Sequence, residues 1–258
     1  MEGEKRLALL IDCDNASAGA IEGILSELAK FGVITIRRAY GNWKNQNLKG
    51  WEEKLHPHAI VPIQQFQYTS GKNATDAAMI IDAMDIMFSQ RVDGFALVTS
   101  DSDFTPLVMR ILSNGIKVYG FGEKKTPMPF VNACSQFIFT ENLEDAEEEE
   151  EEEKGQAEPR QRRRRKLPEK ELRRNNALVQ LLTKAVELSA NDDGWANLGK
   201  VGNYISNNSS FSPVNFGYSK LSDLLKAIGL FDFDETRGHS TPYLRLKKKA
   251  HRAVEHKD

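Results

Sequence analysis

Three stretches of the chain gather the polar groups best suited to chemistry: LLIDCDN, with Asp12, Asp14 and Asn15; GKNATDAAM, with Lys72, Asn73 and Asp76; and LVTSDSDF, with Thr99, Ser100, Asp101 and Asp103. Each acid also has a local use. Asp14, Asn15, Asn73 and Asp101 suit helix N-caps, and Asp76, three residues after Asn73, suits a first helical turn, where a carboxylate meets the positive end of the helix dipole. Taken together they suggest more than capping. Carboxylates that converge in one cleft raise one another's pKa and cost stability unless a cation neutralises them. Oxygen donors with no histidine or cysteine among them suit Mg2+ or Mn2+ rather than zinc. An ion held in this way bridges phosphate oxygens and activates a water for in-line attack, so the chemistry implied is phosphoryl-ester hydrolysis.

The first and last of these stretches stand roughly ninety positions apart, so the elements around them must bring them together. Apolar runs rich in β-branched and aromatic residues predict strands at 7–11, 33–40, 59–66, 94–100, 117–122 and 136–140, and helical patterns fall between them near 16–30, 45–55, 74–89, 103–113 and 127–134, several closed by a glycine such as Gly32 or Gly115. Strands alternating with helices predict parallel βαβ units, hence an α/β fold with a doubly wound, mainly parallel, Rossmann-like sheet. In such a sheet the carboxyl ends of the strands share one edge, where ligands bind. One acidic crevice is therefore expected from three separated motifs.

Residues that carry these motifs resemble a known family. LLIDCDN, then KNATD, then LVTSDSDFTPLV followed by a short helix and GIKVYGFG, are similar to the NYN domain of the PIN-like nuclease superfamily, in its bacterial LabA-like branch, over about residues 7–140. The resemblance implies a Mg2+- or Mn2+-dependent ribonuclease. It implies Asp12, Asp76, Asp101 and Asp103 as the metal-binding and catalytic acids, with Asn15 as a supporting polar residue. Asp82, six positions beyond Asp76, is turned about 120° away on an ideal helix and faces elsewhere on that geometry. Lys72 is a candidate for a phosphate contact. His56 and His58 lack a further ligand motif, and the glycines at 120 and 122 read as a tight turn rather than a dinucleotide site. Trp43 and Trp51 flank a basic loop that suits stacking of single-stranded bases, although core packing is the commoner fate of such residues. Cys13 alternates to the opposite side of its strand from Asp12 and reads as buried and inert.

The net charge of −2 hides a strong division along the chain. Residues 1–143 carry −2, residues 144–158 carry −9 and residues 159–258 carry +9. The glutamate run at 147–153 and the RRRR run at 162–165 lie in a stretch, 144–168, that cannot bury apolar surface and reads as an acidic-then-basic disordered linker. Beyond it, helical patterns at 172–189, 194–207 and 218–229 and a hairpin at 230–247 make the pattern of a winged helix, a second, smaller domain. GWANLGKVGNYI, FSPVNFGYSKLSDLLKAIGLFDF and the closing YLRL resemble the OST-HTH or LOTUS domain, a small winged helix associated with RNA binding. Lys200, Lys220, Lys226, Arg237, His239, Arg245 and Lys247 are its candidate phosphate-contacting groups. The expected organisation is a nuclease domain over 1–143, the linker, a winged helix over 169–248 and a basic tail over 249–258.

The expected activity is RNA hydrolysis, with RNA as partner and with protein partners through the winged helix as a further expectation. A non-catalytic RNA-binding adaptor is the alternative, and a haloacid-dehalogenase-like phosphatase, suggested by Asp12 and Asp14 after the first strand, the weaker one. The glutamate run is expected to compete with RNA for the basic module. No apolar run reaches the length of a membrane span, and Cys13 and Cys134 lack the spacing of a disulfide framework or zinc site, so a cytoplasmic location and no membrane partner are expected.

Overall fold

Along the first strand, β1 (Arg6–Asp12), Leu7, Leu9 and Ile11 point into one hydrophobic layer, and Ala8 and Leu10 into another. Burial on both faces is why LALLI reads as an unbroken apolar run and not as an alternating one. In the computed structural model, which describes residues 4–66, 74–89, 91–143, 166–237 and 241–247, this strand is the centre of a six-stranded sheet. The other strands are β2 (Val33–Gly41), β3 (Val61–Gln64), β4 (Gly94–Val98), β5 (Lys117–Gly122) and β6 (Gln136–Phe139). Their order is β3-β2-β1-β4-β5-β6, and every pair is parallel.

Helices α1 (Ile21–Leu28) and α2 (Lys49–Leu55) cover one face, with Ile21, Ile24, Leu28 and Trp51 packed against Leu9 and Ile11. Helices α3 (Ala74–Ser89), α4 (Thr105–Ser113) and α5 (Met128–Ala133) cover the other, where Met79, Ala83, Val108, Ile111 and Phe130 meet Ala8, Leu10, Phe95 and Leu97. The chain leaves β1 toward one edge for β2 and β3, then returns through α3 to place β4 on the other side of β1. The carboxyl ends of β1 and β4 thus flank the point where strand order reverses, the position at which open α/β sheets form ligand crevices.

The expected glycines have separate reasons. Gly115, after α4, takes φ +76, the left-handed turn that ends a helix. Gly120 and Gly122 are strand residues of β5 and not a tight turn. They are small because Phe137 and neighbouring groups pass directly over them: a Cβ on Gly122 would stand 2.5 Å from the Thr99 carbonyl oxygen and 2.7 Å from Thr126 Oγ1.

The chain divides into two compact units, Met1–Arg164 with Ser209–Asn215 and Arg165–Asn208 with Phe216–Asp258. In the second, the single helix expected over 172–189 is two, α6 (Glu169–Arg174) and α7 (Asn176–Ser189). Asn175 breaks them with an extended backbone, and its side chain accepts from Leu178 N at 3.0 Å, so the residue caps the new helix instead of continuing the old one. Helices α8 (Leu198–Asn208) and α9 (Leu221–Ala227) follow the expected pattern. The hairpin of β8 (Phe231–Asp234) and β9 (Tyr243–Leu246) gains a third strand, β7 (Ala196–Asn197), paired to β9. Two residues of strand within GWAN are too short to leave a periodic signal. Among the described residues no helix is long and apolar enough to cross a membrane.

Replacing Gly122 with alanine forces the β5 backbone away from Thr99. We expect a loss of about 1–3 kcal/mol in urea-unfolding stability; an unchanged midpoint would show that the close approach carries no constraint.

Candidate active site

Asp12 ends β1 on the same strand parity as Leu10, which turns its carboxylate toward the α3 layer, while Cys13 goes into the opposite core. The register of β1 on β4 pairs Ile11 with Val98, which brings Asp12 beside Thr99. Asp12 is fully buried, and both its oxygens are held: Oδ2 accepts from Thr99 Oγ1 at 2.8 Å and Asn15 Nδ2 at 3.0 Å, and Oδ1 from the Asp14 amide at 3.2 Å. Burial raises its pKa above the usual carboxylate range; the hydrogen bonds from Asn15 and Thr99 oppose the rise, and the Asp14 charge adds to it.

Asp76 sits in the first turn of α3 and is only 9% exposed. Burial pushes its carboxyl up to about 6, and the charges of Asp12, Asp101, Asp103 and Asp14 each push in the same direction. Residues from three separated motifs therefore share one electrostatic neighbourhood. Asp14 Oδ2 accepts from Thr75 Oγ1 at 2.9 Å, which ties the loop after β1 to the start of α3.

Asp101 follows β4 and caps the short turn Ser102–Phe104, accepting from the Asp103 amide at 2.8 Å. Its own amide donates to Thr99 Oγ1 at 3.1 Å, so Thr99 links the Asp12 and Asp101 segments. Asp101 is half-buried and Asp103 exposed. Capping and convergence thus coexist at Asp101, whereas the cap of the turn after Asp14 and Asn15 is Ser17. Among the described residues no group of three or more His, Cys, Asp or Glu side chains is disposed to hold a metal ion. The donors fit a hard cation by chemistry, all oxygens with mutual repulsion to relieve, and not as a closed coordination shell.

Lys72 and Asn73 lie outside the described residues, as do His239, the tail 249–258 and both charge runs of the linker. Asp82 faces away from the acids, as its rotation on the helix predicts: it accepts from Arg38 and from the Tyr40 hydroxyl, in a groove lined also by Ile63, Gln65 and Asp85. Trp51 is buried and donates to the Ala16 carbonyl at 3.0 Å, and Trp43 donates to that of Ile63 at 3.2 Å. Both tryptophans are committed to packing and backbone contacts. His58 lies 4.0 Å from a Glu22 oxygen. Cys13 and Cys134 are free and buried, and burial pushes both thiols up, that of Cys134 to about 12. Thr75, which braces Asp14, has no sequence signal beyond its place beside Asp76.

In the second unit Lys200, Lys220 and Lys247 are exposed. Lys226 is engaged: its Nζ donates to Glu235 at 3.0 Å and lies over the Phe233 ring. Arg237 pairs with Asp193 and, through Nε at 3.2 Å, with Asp234. Its guanidinium also lies 4.9 Å from the Trp195 ring centre, and that of Arg245 lies 4.5 Å from it. Three of the expected phosphate contacts, Lys226, Arg237 and Arg245, the last with its Nε 3.6 Å from Asp232, are therefore already paired with carboxylates, because the wing carries its own acids beside its bases.

Comparison with known proteins agrees with this architecture. The NYN domain model matches residues 6–144 and the OST-HTH/LOTUS domain model residues 174–243. An uncharacterized protein of Methanocaldococcus jannaschii is 32% identical over 125 residues, 47% of this chain and 49% of that protein, so the chain spans about half the length of this curated relative. A Vibrio parahaemolyticus protein of unknown function is similar at 18% identity and TM-score 0.45, covering 54% of this chain and 94% of that one. An uncharacterized Nitrosomonas europaea protein is similar at 30% identity and TM-score 0.26, covering 43% and 99%. With its parallel sheet, its acids at the strand-order reversal and a family match across more than half its length, the chain belongs to the NYN domain family and carries an OST-HTH/LOTUS domain after its NYN domain.

Proposed function

We propose that this chain is a metal-dependent ribonuclease whose NYN domain hydrolyses RNA phosphodiester bonds and whose OST-HTH/LOTUS domain binds the RNA. The observation that carries the reading is the carboxyl of Asp76, nearly buried and raised to about 6 in a field to which Asp12, Asp101, Asp103 and Asp14 all contribute. A chain that folds against such repulsion gains most from a ligand that cancels it. Asp12, Asp76, Asp101 and Asp103 would hold Mg2+ or Mn2+, which when bound polarises a phosphate oxygen and lowers the pKa of a coordinated water. Asn15 and Thr99 orient Asp12 and favour its charged form. Thr75 fixes Asp14 against α3.

A second reading has its own support. The acids do not form a closed ligand group among the described residues, which suits an RNA-binding adaptor that does not cut. RNA incubated with Mg2+ or Mn2+ separates the two. The nuclease reading expects end-labelled fragments, and a loss of about 100-fold or more in Asp12→Asn and in Asp101→Asn, since even groups supporting a metal ligand cost 10–100-fold. Undiminished cleavage in both variants removes the site assignment, and tight binding without cleavage under every metal establishes the adaptor.

The same charges predict a pH signature. A carboxyl whose folded-state pKa lies above its unfolded value favours the folded chain while protonated, so the contribution of Asp76 is whole below about pH 4 and is lost as pH rises through about 6. Without metal, Asp76→Asn is expected to melt at a higher temperature than the parent at pH 7.5, with the gap closing toward pH 4. Added Mg2+ or Mn2+ should raise the melting temperature of the parent more than that of the variant. Equal melting curves at pH 7.5 would show that the acids do not strain the fold.

For the winged helix, the exposed lysines carry the expectation. Replacing Lys200, Lys220 and Lys247 together with alanine should weaken RNA binding and reduce the dependence of log affinity on log salt by about 2, near 0.7 per lost contact on single strands. An unchanged salt slope would place the RNA elsewhere.

A further inference from the structure

A groove runs beside the acids on the same side of the sheet. Asp12 and Tyr40 are partners in the register of β1 on β2, and Tyr40 and Ile63 in that of β2 on β3, so a row from Asp12 through Tyr40 to Ile63 crosses the sheet on the face that α3 covers. Adjacent strands stand about 4.8 Å apart, which puts the near wall of the groove one strand from Asp12. The opposite wall is α3, where Ala78, Ile81, Asp82 and Asp85 recur at the spacing of one helix face. Asp82 lies about 9 Å along that helix from Asp76. The space enclosed, about 340 Å³, is at the small end of ligand sites, which span roughly 300–1,000 Å³. It therefore lies within reach of a nucleotide adjoining one held at the acids.

The polar groups of this groove are unequally engaged. Asp82 accepts from Arg38 and from the Tyr40 hydroxyl, so its charge is answered. That bond fixes the Arg38 guanidinium through one edge of a five-donor fork, and the side chain remains 34% exposed. The Asp85 carboxylate lines the groove, is exposed and has no partner among the described residues. With Arg38 and Asp82 cancelling, the lining carries the negative charge of Asp85, which repels a phosphate. Ile63, Ala78 and Ile81 add apolar surface. A flat group with apolar faces and N–H donors along one edge fits these walls, and a nucleobase is such a group. Guanine alone among the RNA bases presents two adjacent N–H donors, N1–H and the N2 amine, to match the two oxygens of a carboxylate. Its neighbouring O6 and N7 acceptors match a guanidinium.

We propose that the groove between α3 and the strands β2 and β3 is a guanine subsite for RNA. Asp85 accepts from N1–H and the N2 amine of a base flanking the scissile phosphate, and Arg38, steadied by Asp82 and Tyr40, donates to its O6. Ile63 and Ile81 pack against the ring. The inference rests on the ribonuclease reading for its substrate and adds the base that the enzyme selects.

Binding and cleavage are tested separately on the full chain. Short uridine tracts carrying a single central guanosine, inosine or adenosine are titrated by fluorescence anisotropy without metal, where nothing is cut. Inosine is guanine without the N2 amine, so it removes one of the two bonds to Asp85 and leaves O6 and N7 in place. The parent is expected to bind the guanosine tract about fivefold or more tighter than the other two. Asp85→Asn, at an exposed position, is expected to bind guanosine and inosine alike with an unchanged circular dichroism spectrum. With Mg2+ or Mn2+, cuts in a mixed-sequence RNA should fall at a fixed offset from guanine in the parent and lose that offset in Asp85→Asn. Equal binding of guanosine and inosine by the parent overturns the proposal, as does a guanosine preference that Asp85→Asn retains. Cleavage without a guanine offset overturns the subsite and leaves the ribonuclease reading standing. A guanosine preference that depends on Asp85 with no cleavage under either metal leaves the subsite and removes the ribonuclease reading.

Discussion

A carboxylate with no exposure to water sets the terms for the first unit. Asp12 is viable at the end of β1 because Thr99, Asn15 and the Asp14 amide supply the hydrogen bonds that water would otherwise give. Each donor depends on a larger feature. Thr99 is in reach because β4 pairs with β1, which in turn requires the crossover through α3. Asn15 and the Asp14 amide are in reach because the chain turns sharply on leaving the strand, with the Asn15 amide donating to the Asp12 carbonyl at 3.3 Å. The reversal of strand order and the polar cradle around Asp12 are thus two scales of one arrangement.

Helix α3 answers to three demands at once. Its core face holds the sheet, its first turn brings Asp76 into the acidic neighbourhood, and its flank directs Asp82 to Arg38 and Tyr40. Asp76 and Asp82 are six residues apart and meet opposite fates because the helix turns them to different neighbours. The same helix therefore concentrates uncompensated charge at one end and anchors β2 through a compensated pair further along. Uncompensated charge costs stability at the first place, and the compensated pair supplies it at the second.

The second unit solves a different problem with similar means. Its wing carries arginines, but Asp193 and Asp234 pair with Arg237, and Trp195 takes both Arg237 and Arg245 against its ring. A cation held in this way braces a short three-stranded sheet that also buries Ala196, Phe231 and Leu244. Lys200, Lys220 and Lys247 are exposed beside these paired cations.

Periodicity and composition alone settled much of this molecule. The six strands, their helices and the shared edge follow from where β-branched runs alternate with helical ones, since a strand buried on both faces must be apolar throughout and a parallel return needs a crossover. The grouping of Asp12, Asp76 and Asp101 follows as well, because carboxyl ends of parallel strands share an edge. The resemblance to the NYN and OST-HTH families was likewise carried by residues in their order along the chain. Contacts between residues distant in sequence left no such trace. The Thr75 to Asp14 bond, the Arg38–Asp82–Tyr40 group, the close approach over Gly122 and the two-residue strand β7 are fixed by rotamer, register and packing between elements, none of which has a period. Tertiary structure also decided which charges are free to act, since a lysine in a helix pattern looks the same whether solvent or Glu235 faces it. Local chemistry names the groups, but only the packed chain determines which of them have already found a partner.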